Sequence, residues 1–114
     1  MESGWSIDTA NRLHLLPVLA SLIDEPNAGR GAARFHATVG QALAAWVVQA
    51  AQQHGVSTVA AGGGCLFNRL LSADLAHRLS AAGLRLLLPR QLPPGDSAIA
   101  FGQAVVARHH LQGN

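Results

Sequence analysis

The sequence predicts an α/β fold in the order α-α-β-α-β-α, its strands parallel and joined by a helical crossover. Up to residue 54, apolar residues recur at helical spacing. Two short apolar runs follow, Thr58 to Ala61 and Arg85 to Leu88, each stopped by glycine or proline. Stretches of helical character, Leu66 to Ala81 and Ser97 to His109, come between and after them. A strand, a helix and a strand in close succession form a right-handed crossover with parallel strands.

Taken in order, Leu15 to Ile23 is apolar at helical spacing, with Pro17 in a first turn where a missing N–H does no harm. Asp24-Glu25-Pro26-Asn27-Ala28-Gly29 breaks that helix. A long helix is expected from about Gly31 to Gln53. Its apolar face carries Phe35, Val39, Ala42, Leu43, Trp46, Val47 and Ala50, and Gly55 ends it. Gly62-Gly63-Gly64 follows the first strand, and Gly83 closes the next helix. Pro93-Pro94-Gly95-Asp96 is a turn that opens the last one. Two parallel strands alone leave two open edges, whereas parallel sheets are normally wider and covered on both faces. The apolar runs read as fully buried strands. Residues 1–114 are therefore expected to be a single partial domain, part of a larger sheet or docked onto one.

Composition excludes several classes. Hydrophobic residues make up 49% of the 114, too many for a disordered chain. No apolar run approaches the roughly 20 residues that span a bilayer, and Met1 to Trp5 lacks the pattern of a signal peptide. A single cysteine excludes an internal disulfide and a multi-cysteine zinc site. These features place the chain in the cytoplasm, without a membrane partner. The basic side chains are dispersed arginines, the formal net charge is only +2, and aromatics are 4%. No basic run or stacking platform for nucleic acid is evident, so nucleic acid is not an expected partner. The absence of lysine excludes a Walker A loop and a Schiff-base mechanism.

The chemistry concentrates in two segments. A parallel strand that ends in Gly62, Gly63 and Gly64 before a helix is suited to ligand contact. Glycine lets backbone approach a ligand, and ligands sit at the carboxyl ends of such strands. The plainer reading is a tight turn with close helix–strand packing. A Rossmann site fits poorly: its third glycine would fall at Phe67, and no acidic residue follows the second strand. Asp96 reads either as an N-cap for the helix near Ser97 or as a hard oxygen ligand for a divalent ion. Cys65 reads as a small buried packing residue rather than a nucleophile, and no residue is assigned a catalytic role. His36 reads as a packed helix residue, and His109 and His110 as a solvated tail. Trp5 and Trp46 read as core or interface anchors. Arg69 and Arg90 face either phosphates or solvent.

Several segments carry a resemblance. Val59 to Leu71, with Gly62-Gly63-Gly64-Cys65-Leu66-Phe67-Asn68-Arg69, resembles the "ALSGGVFQNRLL" segment of the HypF carbamoyltransferases, which mature [NiFe] hydrogenases. Leu84 to Asp96 is similar to that family's "FRVLLPRRLPPNDGG", and Ile99 to Ala104 to its "IALGQA". Ala33 to Thr38 resembles "ARFHNT". Order and spacing agree from roughly residue 12 to 108, at the C-terminal end of the family's sequence. The tRNA threonylcarbamoyl transferases are a more distant likeness.

The resemblance implies a lobe of an actin/sugar-kinase-like (ribonuclease H-like) carbamoyl-transfer domain, also called Kae1-like. It implies use of carbamoyl phosphate and ATP, with a carbamoyl-adenylate formed elsewhere in the protein. The carbamoyl group passes to the C-terminal cysteine of a HypE-like acceptor. It further implies that Gly62, Gly63, Gly64 and Asn68 contact the nucleotide and that Asp96 is one ligand of a divalent metal. The family serine is Gly62 here, the family glutamine is Phe67, the asparagine before the aspartate is Gly95, and the glycines after it are Ser97 and Ala98. The family's metal-binding histidine pair has no counterpart of His-x-x-x-His spacing in this chain. The expectation is a segment inactive alone, working with the remainder of a HypF-like protein or a split partner chain. The alternative is a nucleotide-binding or protein-interaction remnant, for instance a homodimer that covers the sheet edges.

Overall fold

A computed structural model describes residues 4–113. The chain opens with a hairpin that periodicity did not announce. Strands β1 (Ser6–Ile7) and β2 (Leu13–His14) pair antiparallel, with Ile7 opposite Leu13. Between them Asp8 holds the turn: its Oδ1 accepts from the backbone N–H groups of Ala10 and Arg12, both at 2.9 Å. Asn11 adopts φ +60°, the left-handed region that asparagine tolerates better than most residues. Trp46 anchors the hairpin by donating its indole N–H to the Asn11 carbonyl at 2.8 Å.

Helix α1 (Leu16–Ile23) carries Pro17 in its first turn, as expected. Helix α2 (Ala28–His54) begins earlier than periodicity implied because the Asn27 side chain caps it, accepting from the Arg30 N–H at 2.9 Å. It ends at Gly55, φ +64°, whose N–H returns to Ala51 and Gln52. Strands β3 (Thr58–Ala60) and β4 (Arg85–Leu87) pair parallel, with Val59 opposite Leu86. Helix α3 (Arg69–Ala81) makes the crossover between them. Helix α4 (Ile99–Gln112) follows a 3-10 turn over Asp96–Ala98. His109 and His110 lie in the last turn of α4 rather than in a tail. No helix of the described residues is long and apolar enough to cross a membrane.

The core lies where α2 and α3 meet under the sheet. Leu75 and Leu79 of α3 pack on Ala44 of α2, flanked by Leu43, Val47, Val48, Leu84 and Leu86. At Gly40 of α2 a side chain would run into the Asp74 carboxylate of α3. The parallel sheet has two strands, as the two apolar runs implied. Residues of β3 and β4 alternate exposed, half-buried, exposed, so these strands are not enclosed by this chain. Each strand has only the other as a neighbour among the described residues. All of α4 is exposed, including Phe101 at 58% and Val106 at 70%. The radius of gyration is 17.2 Å. A compact chain of this length would have about 13 Å. The excess measures surface that the chain leaves uncovered.

Candidate functional site

The carboxyl ends of β3 and β4 bring the two chemically suggestive segments together. Past Ala60 the pairing runs one step further, the Ala61 N–H donating to the Leu87 carbonyl at 3.0 Å. The chain then turns at Gly63, whose φ of +113° and ψ of 159° strongly favour glycine. Its N–H donates to the Pro94 carbonyl at 2.6 Å, fastening the turn to the loop that carries Asp96. A second tie lies beside it. The ring of Phe67 sits against Gly95 so closely that a Cβ there would be 2.8 Å from Cε2.

After Gly63 the backbone does not enter α3 directly. Gly64–Phe67 form a 3-10 turn, and Asn68 stands between it and α3. The helix expected from Leu66 therefore begins at Arg69. The reason is Asn68, whose Oδ1 accepts from the N–H groups of Leu70 and Leu71 at 3.0 and 3.1 Å. This is an N-cap, and it consumes donors that a helix start would otherwise offer a ligand. The free donors lie earlier. Among the described residues, the backbone N–H groups of Gly62, Gly64 and Cys65 have no hydrogen-bond partner. Adding a Cβ at Gly62, Gly63 or Gly64 would meet nothing within 4 Å. Only Gly63 needs to be glycine for its φ. At Gly62 and Gly64 the bare backbone faces open space that neither turn geometry nor packing explains. Gly64 and Cys65 thus offer two successive unpartnered N–H groups, an arrangement that suits an anion.

Asp96 is exposed and begins the 3-10 turn before α4. It does not act as a cap: neither that turn nor α4 has a side-chain cap bond, and the Ala98 N–H goes to the Gly95 carbonyl at 3.2 Å. Its carboxylate has no partner among the described residues. The fit to a metal is incomplete, because the described residues bring together no three His, Cys, Asp or Glu side chains that could hold one. One carboxylate alone does not fix a divalent ion.

The other candidate side chains are placed as follows in the fold. Cys65 is exposed, not buried in strand–helix packing as its size suggested. His36 is half-buried, edge-on to Phe35, and lines a hollow with Leu70 and Leu71 between α2 and α3. Arg69 is exposed at the start of α3, and Arg90 lines an open groove beside β4 with Phe101. The hairpin cluster escaped notice in the sequence. Asp8 Oδ2 accepts from Arg12 Nε at 2.7 Å and lies 3.0 Å from His14 Nε2. The His14 contact first, then the Arg12 N–H, lowers the Asp8 pKa to about 2.

Strand pair, crossover and turn define an α/β unit whose glycine turn lies at the carboxyl ends of its strands. Comparison with known proteins narrows that class. Residues 2–103 match the family described as carbamoyltransferase, Kae1-like domain, second subdomain, and the chain belongs to that family. It is 52% identical over 107 residues to the carbamoyltransferase HypF2 of Cupriavidus necator, covering 94% of this chain and 13% of that protein. A carbamoyltransferase HypF of Rhizobium leguminosarum bv. viciae is 38% identical over 110 residues, 95% of this chain and 14% of the relative. A tRNA N6-adenosine threonylcarbamoyltransferase of Thermosynechococcus vestitus is 38% identical over 81 residues, 71% of this chain and 22% of its own length. The chain thus spans about an eighth of the HypF relative it matches at 52% identity.

Proposed function

We propose that this chain supplies the nucleotide-facing corner of a HypF-like carbamoyltransferase and has no turnover by itself. The observation that carries the reading is one junction. The turn that carries the unpartnered N–H groups of Gly62, Gly64 and Cys65 is fastened by the Gly63-to-Pro94 hydrogen bond to the loop that leads into the uncommitted Asp96. In this reading the glycine turn receives phosphate oxygens of ATP or a carbamoyl-adenylate. Asn68 contributes its remaining amide N–H₂, since its oxygen is engaged in capping. Asp96 gives one carboxylate towards a divalent ion whose other ligands come from the rest of the protein. The exposed strand edges and the exposed α4 support a larger ribonuclease H-like lobe built on this sheet. The reaction uses carbamoyl phosphate and ATP and delivers the carbamoyl group to the C-terminal cysteine of a HypE-like acceptor, in the cytoplasm.

The test supplies the chain to the remaining part of a HypF-like protein and follows carbamoylation of the acceptor. Restored transfer, and a loss of at least a hundredfold with Asp96→Ala, is expected. Unchanged transfer with Asp96→Ala sinks the assignment of Asp96. Consumption of carbamoyl phosphate with ATP by the isolated chain sinks the composite site.

A further inference from the structure

We infer that Phe67 is the base-stacking residue of this site, so that the chain selects a ligand with a nucleobase over a bare polyphosphate. The inference rests on the nucleotide reading above and adds a residue to it. Phe67 is a large apolar side chain left 62% exposed. Its environment fixes how it is exposed. The position of a Gly95 Cβ would lie 2.8 Å from Cε2, 3.5 Å from Cζ and 3.8 Å from Cδ2. One ring edge therefore rests on the Gly95 backbone. An edge-held ring keeps its plane while leaving face area open, as base stacking requires. Phe67 also belongs to the same turn as two of the donors, Gly64 and Cys65. Gly64 and Phe67 are the two ends of one 3-10 turn. At about 2 Å of rise per residue the Phe67 backbone lies roughly 6 Å along the turn from that of Gly64. The two ties, Phe67 to Gly95 and Gly63 to Pro94, hold ring and donors in one corner.

Equilibrium binding of ATP and of inorganic tripolyphosphate to the full chain and to its Phe67→Ala and Phe67→Trp forms tests this. Circular dichroism serves as a control on folding. The expected result is that Phe67→Ala weakens ATP roughly fivefold to a hundredfold, leaves tripolyphosphate unchanged, and that Phe67→Trp retains ATP binding. Equal ATP affinity in wild type and Phe67→Ala overturns the stacking role and leaves the nucleotide reading standing. Equal losses for both ligands also overturn it, because Phe67 then only shapes the turn. If wild type binds neither ligand, the nucleotide reading itself fails and the stacking role goes with it.

Discussion

Gly95 has no side chain where Phe67 needs room, and the two residues are best understood together. Gly95→Ala puts a methyl group against the ring edge. Because Phe67 is exposed, the ring swings away rather than the fold breaking. Stability should change by no more than about 1 kcal/mol, as for most surface changes. The Phe67 ring resonances should move, and ATP binding should weaken in the direction of Phe67→Ala. Unmoved resonances would mean that the contact does not orient the ring. Asn68 bears on stability more directly. Losing its cap by Asn68→Ala should cost roughly 0.5–2 kcal/mol, with Asn68→Ser recovering most of it in thermal unfolding. Asp8 gives a pH dependence. Its folded pKa, about 2, lies below its ordinary value of 3.8. Its contribution is therefore fully present above about pH 5 and is lost as pH falls towards 2. A carboxyl resonance of Asp8 titrating near 4 would contradict the His14 and Arg12 contacts. Asn68 shows what the sequence hid at this scale. The apolar pattern of Leu66, Leu70 and Leu71 suits a helix from Leu66, and only the asparagine marks where the 3-10 turn stops.

Elements were legible wherever a periodic apolar face met a terminating glycine. Gly55 and Gly83 end α2 and α3 in left-handed conformations as their positions suggested. The parallel pairing of β3 and β4 followed from their short apolar runs and the helix between them. The first hairpin was not legible, because two-residue strands carry no periodicity and its turn depends on Asp8 side-chain bonds. The apolar runs marked the strands but not what lies against them: within this chain their residues alternate exposed, half-buried, exposed. The small core makes each buried side chain weigh heavily. Leu79 is completely buried, so Leu79→Ala should cost about 2–5 kcal/mol. That is a large share of the 5–15 kcal/mol typical of a domain. Urea unfolding of the isolated chain would read the loss, and a cost below about 1 kcal/mol would show that α3 is not seated as described. Gly40 separates two outcomes on one site. Gly40→Ala requires only the Asp74 tip to turn, while Gly40→Leu forces α2 and α3 apart and should cost about 1–3 kcal/mol.

For the whole molecule, the uncovered surface is the main physical fact. Two sheet edges without further strands and a helix with no buried residue are poor endpoints for an isolated chain. A 14-residue helix without tertiary packing is marginal in water. Amide exchange should therefore be fast throughout α4 and slow in α3 around Leu75 and Leu79. Supplying the remaining part of a HypF-like protein should slow exchange in α4 and along β3 and β4. Exchange in α4 that stays fast in the assembly would mean that its apolar residues are not interface residues. The candidate site follows the same logic. Its donors were readable from three consecutive glycines, whereas their tie to the Asp96 loop depends on contacts between residues some thirty positions apart.

The loop from 88 to 95 joins the two halves of the proposed site without a helix or strand of its own. It exposes the Arg90–Gln91 bond, a natural target for trypsin. A single nick there would sever the covalent route between the glycine turn and Asp96, leaving the Gly63-to-Pro94 hydrogen bond and the Phe67 ring to hold the pieces together. The molecule thus carries a point at which ligand protection becomes a simple gel experiment: whatever bridges the turn and Asp96 should slow that one cut.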